Sequence, residues 1–127
     1  MLLIIHKKAY QKFLNLLLEL DSLMKNSVST AQIKPNHPVW QNLQQTFQQE
    51  VITLTDEGLD LATASHWISL QAEIQREFRL LNTDWLFMIS ARTPATFQAK
   101  EKSVVKRLHQ LINYCQVMLR GVKETDN

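Results

Sequence analysis

The 127-residue sequence predicts an all-α protein, an antiparallel four-helix bundle with a long hairpin between its third and fourth helices. Three observations lead there. Only two Gly and three Pro leave little punctuation for a turn-rich β fold. Apolar residues recur in steps of three and four along four separate stretches, the spacing that keeps one stripe of a helix buried. A helix stop followed at once by a helix start, Arg92-Thr93-Pro94, closes the most apolar window outside the N-terminus. At 45% hydrophobic, the chain has enough apolar surface for one core, so residues 1–121 read as one domain and 122–127 as a loose polar tail.

The first helix is predicted over Leu3 to Met24. Ile5, Ala9, Phe13, Leu16, Leu17, Leu20, Leu23 and Met24 form its broad face, with Lys7, Lys8, Lys12, Glu19 and Asp21 largely opposite. Asn26 to Thr30 stops it. Asn36 or His37 before Pro38 starts a second helix, in which Trp40, Leu43, Phe47 and Val51 keep helical spacing. Glutamines and asparagines fill the positions between, an uncharged face that reads as plain surface or as a docking face. Asp56, Glu57 and Gly58 mark an acidic loop.

The third helix is expected to start between Asp60 and Ser65 and to last until Arg92, a rod of roughly 40–45 Å. Trp67, Ile74, Phe78, Leu81, Trp85 and Met88 form its stripe, with Gln71 in the one polar register; Leu80, Leu86, Phe87 and Ile89 make its end apolar nearly all round. Such an end is buried among neighbours or docked to a partner. Pro94 disfavours helical geometry at Thr93 and suits the first turn of a fourth helix, which Thr93 is free to cap. That helix runs to about Arg120 on Phe97, Val104, Leu108, Leu111, Cys115 and Met118, with Gly121 as a plausible C-cap.

The chemistry legible in these residues is sparse. No Glu-x-x-His spacing for a di-iron bundle occurs, and the four histidines are far apart in sequence. Cys115 follows His109 by six residues, about 600° of helix rotation, so the two point to different faces. The thiol lies on an apolar stripe, as an ordinary buried cysteine does. Two glycines provide no phosphate loop. Glu73 and Glu77 read as solvated partners of Arg76 and Arg79. The expectation is a protein that is not an enzyme and needs no metal or cofactor. One cysteine excludes an intrachain disulfide, and no stretch has the length of a membrane span. A soluble cytoplasmic protein is expected.

Charge is unevenly placed. Residues 92–127 hold seven basic and three acidic groups, a net of +4, and residues 26–60 hold one and four, a net of −3. Lys102, Lys106 and Arg107, with Lys100 nearby, are spaced to share one face of the fourth helix, either a solvated face or a patch for an acidic partner. For nucleic acid, the net charge of +2 is small and aromatic interleaving is lacking. Asp84 and Arg92 stand in or against the most apolar window, where an unpaired charge is costly. Eight residues apart, they do not readily meet, so each is expected to find a partner elsewhere. A sharper reading makes Arg92-Thr93-Pro94 a charged binding corner beside Phe87 or Trp85.

The window Leu81, Asp84, Phe87, Met88, Ala91, Arg92, Pro94, Ala95, Thr96 resembles the cyanobacterial heterocyst frequency control family PatD. The likeness extends to the Tyr10-x-x-Phe13-Leu14-x-Leu16-Leu17 helix, to Phe47-Gln48-Gln49 and to Leu108-x-x-Leu111-Ile112-x-Tyr114-Cys115. It implies a regulator of cell division and heterocyst patterning that binds the tubulin-like protein FtsZ and influences its assembly. Partner contacts are then expected from Asp84, Phe87, Arg92, Thr93, Pro94, Lys102, Lys106 and Arg107. Two other classes stay open: a homo-oligomeric scaffold, a homodimer for example, packing through the Trp85–Ile89 face, and a small nucleic-acid-binding regulator.

Overall fold

A computed structural model describes residues 2–26 and 37–120. Four α-helices and one π-helical turn make up its regular structure: α1 (Ile4–Asn26), α2 (Pro38–Thr46), the π turn (Phe47–Val51), α3 (Leu61–Ile89) and α4 (Pro94–Arg120). Among the described residues there is no strand. The expected tail and Gly121 cap, like the expected stop at Ser27 to Thr30, lie outside the described residues.

His37 caps α2, its Nδ1 accepting the Val39 N–H at 3.2 Å, and Pro38 takes the first helical position, where no N–H is needed. Periodicity alone would continue this helix to Val51. Instead the ladder widens after Thr46, and the Ile52 N–H bonds the Phe47 carbonyl, five residues back, at 2.8 Å. Asp60 starts α3, accepting the Thr63 N–H at 2.8 Å on one carboxylate oxygen and the Thr63 hydroxyl at 3.1 Å on the other. These bonds favour the charged carboxylate and hold Asp60 below its ordinary range.

The α3 stripe is buried as its spacing requires, from Trp67 to Met88. Its end falls at Ile89, three residues before the expected Arg92. The Ser90 hydroxyl donates to the Leu86 carbonyl at 2.7 Å, and the Ala91 N–H reaches only three residues back, to Met88. The last turn tightens and releases the chain before the residue preceding Pro94.

Side-chain contacts locate the helices against one another. Along α3, partners from the second helical stretch come in reverse order: Val51 at Gln71, Phe47 at Phe78, Gln44 at Asn82 and Trp40 at Trp85. Partners from α1 come in the same order as α3, with His6 at Trp67, Tyr10 at Gln71 and Phe13 at Phe78. Five rings, Phe13, Phe47, Phe78, Trp40 and Trp85, run through the interior. Each such side chain contributes on the order of 1.5–3 kcal/mol by leaving water.

Two α1 expectations need correction. Ile5 is 64% exposed; the inward stripe passes through His6 instead, one residue away. Asp21, expected opposite the core, is buried and held by His109 of α4 at 2.9 Å and Lys25 at 3.2 Å. The loop after the π turn is tied to α1 by His6, whose Nε2 donates to the Thr55 carbonyl at 2.8 Å. Gly58 in that loop has φ +86°, a backbone region that favours glycine, and a Cβ there would stand 3.0 Å from Leu3.

Candidate functional site

The α3–α4 connection and the seam that follows it hold most of the residues singled out in the sequence. Thr93 caps α4: its hydroxyl oxygen accepts the Thr96 N–H at 3.2 Å and its O–H donates to the Thr96 hydroxyl at 2.9 Å. Arg92, Thr93 and Pro94 are all exposed, so the corner is stiffened by the cap and the proline ring while its faces meet solvent. Phe87, one turn before it, is 55% exposed, and Leu86 beside it 51%. The Lys100 ammonium lies 5.1 Å from the Phe87 ring centroid, a cation–π distance.

About two turns further along α4, Arg107 reaches to two α3 carboxylates. Its Nε donates to Asp84 at 3.0 Å and its Nη1 to Glu77 at 3.1 Å. Partial burial works against the guanidinium charge; the bonds to Asp84 and Glu77 outweigh it and hold Arg107 above its ordinary range. The triad is an internal strut. Asp84 thus has the interhelical partner that its apolar surroundings demanded, whereas Arg92 is exposed and makes no ion pair among the described residues.

The expected basic face divides accordingly. Lys102 and Lys106 are exposed, while Arg107 is turned into the seam and spent on α3. Glu77, read as a solvated surface charge, is buried beneath it. Trp85 is also removed from the surface: it is fully buried and stacks on Trp40 at 4.3 Å. Of the apolar end of α3, Leu86 and Phe87 alone remain largely open, with Ile89 half-buried.

A buried polar chain went unread in the sequence. Trp67 Nε1 donates to the Tyr10 hydroxyl at 2.6 Å, Tyr10 donates to Gln71 Oε1 at 2.6 Å, and Gln71 Nε2 donates to the Val51 carbonyl at 2.9 Å. The signal was Gln71 itself, a lone polar residue on an apolar stripe. Burial pushes the Tyr10 phenol above its ordinary range, partly offset by the Trp67 bond. Cys115 lies fully buried, its thiol pushed up to about 12 by the loss of water.

Among the described residues, no group of three or more His, Cys, Asp or Glu is placed to hold a metal ion, and no helix is long and apolar enough to cross a membrane. Comparison with protein-family models, with curated proteins and with solved structures finds no match for the chain.

Proposed function

We propose that this protein is a non-enzymatic, protein-binding helical module that acts on FtsZ assembly, as a PatD-like regulator of cell division in the cytoplasm. The reverse order of contacts between α3 and the second helical stretch supports reading the fold as an antiparallel four-helix bundle with a long α3–α4 hairpin. The observation that carries the binding role is the exposed Phe87 ring beside a capped, charged corner. An aromatic anchor with cations around it, Lys100 over the ring and Arg92 after it, suits an acidic segment that brings an apolar side chain. FtsZ itself is taken from the resemblance of the Leu81–Thr96 window to the PatD family. Lys102 and Lys106 add attraction at longer range, whereas Asp84 and Arg107 support the seam and are not offered as contacts.

Sedimentation of FtsZ with GTP, with and without this protein, tests the reading. Co-pelleting with a changed polymer yield supports it, and Phe87→Ala should then weaken the effect more than Lys102→Glu with Lys106→Glu. No co-pelleting and an unchanged yield at low salt would remove FtsZ as the partner.

A further inference from the structure

The groove between α1 and the second helical stretch has a charge pattern that matches its own reverse. Lys8, Lys12, Asn15 and Glu19 recur along α1 in steps of four, three and four, so they line one stripe, and all four are exposed. Lys12 is already neutralised by Glu50 across the groove. Lys8 near one end and Glu19 near the other form no ion pair among the described residues. They are eleven residues apart, about 16 Å of helix. Between them and on the facing wall stand carboxamides, Gln11 and Asn15 on α1, Asn42, Gln45 and Gln49 opposite, with Leu18 exposed on the same groove.

A side-chain amide both donates and accepts, so a surface of amides is satisfied by another of its own kind. A two-fold axis across the stripe midway between Lys8 and Glu19 would set a second α1 antiparallel to the first. Each Lys8 would then meet Glu19 of the other copy, twice over by symmetry. A partner of one charge sign would satisfy one end and repel the other. We propose that this groove is an isologous docking surface for a second copy of the chain, held by reciprocal Lys8–Glu19 pairs around an amide-lined centre with Leu18 beside it. The inference stands apart from the FtsZ reading and uses a different face.

Sedimentation equilibrium of the full chain at low ionic strength provides the test, with three samples: the unaltered chain, Lys8→Glu and Glu19→Lys. The unaltered chain should dimerise reversibly, and each reversal should weaken dimerisation by about tenfold or more, because it sets like charges opposite one another at both symmetric contacts. An equimolar mixture of the two variants should recover dimers, since every contact in that heterodimer again pairs opposite signs. Recovery on mixing cannot come from a folding defect, and unchanged helical circular dichroism checks each variant alone. A monomer at all concentrations, a dimer indifferent to both reversals, or a mixture that stays monomeric would each overturn the proposal.

Discussion

Trp40 and Trp85 stack with ring centroids 4.3 Å apart and planes 11° from parallel, joining α2 to the last turns of α3. Both indoles are buried, and the Phe78 ring lies 6.2 Å from Trp40 with its plane 18° from parallel. Trp85→Ala would open a cavity that a helix pair braced by rings cannot close. Urea unfolding should show a loss of about 3–5 kcal/mol. A double-mutant cycle with Trp40→Ala should return a coupling of about 0.5–1.5 kcal/mol beyond burial.

Arg107→Ala would leave Glu77 and Asp84 without their shared cation. The carboxylates are largely buried and the guanidinium is one-third exposed, so the cost falls between that of a surface pair and that of a buried one. A loss of about 1–3 kcal/mol in chemical denaturation is expected. Arg92→Ala, at an exposed position without an ion pair among the described residues, should change stability by no more than about 0.5 kcal/mol. Equal effects at the two arginines would contradict the strut.

Tyr10→Phe removes one oxygen and strands two partners, the Trp67 N–H and the Gln71 carbonyl oxygen, in the interior. The expected cost is about 1–3 kcal/mol in thermal or urea unfolding, well above that of a surface Tyr→Phe change.

Cys115 should not react with a thiol reagent at mildly alkaline pH while the protein is folded, because burial both hides the thiol and disfavours the thiolate. Labelling followed by mass spectrometry should proceed only at the rate of unfolding, and quickly in denaturant.

Asp60 makes the start of α3 pH-sensitive. Its folded-state value is lowered, so its stabilising contribution is present above the unfolded carboxylate value and is lost as pH falls through the folded one. Protection of the first-turn amides of α3, taken relative to their intrinsic exchange rates, should fall on acidification below the ordinary carboxylate range, and Asp60→Asn should flatten that dependence.

The α3 and α4 stripes were legible because steric burial follows helical period and nothing in Trp67 to Met88 or Val104 to Met118 interrupts it. Pro94 located the corner for an equally local reason: the residue before a proline avoids helical geometry. Ile5 and His6 could not be ranked in the same way. Hydropathy favours Ile5 as the inward residue, yet the neighbouring register is buried, where the His6 ring finds Trp67 and the Thr55 carbonyl. The π turn was also hidden, since Phe47 and Val51 are spaced alike in either kind of helix.

By itself, then, the sequence determined the all-helical character, the apolar stripes of α3 and α4 and the corner at Pro94, because period, capping and proline geometry act within a few residues. Tertiary structure decided what the charges do. Whether Arg107 belongs with Lys106 on an outer face or with Glu77 and Asp84 in a seam depends on residues twenty-three and thirty positions away. It likewise decided that Trp85 is spent on Trp40 while Phe87 is left in the open. An electrostatic or aromatic contact is set by distance in space, and for helices packed side by side that distance is fixed by which faces meet.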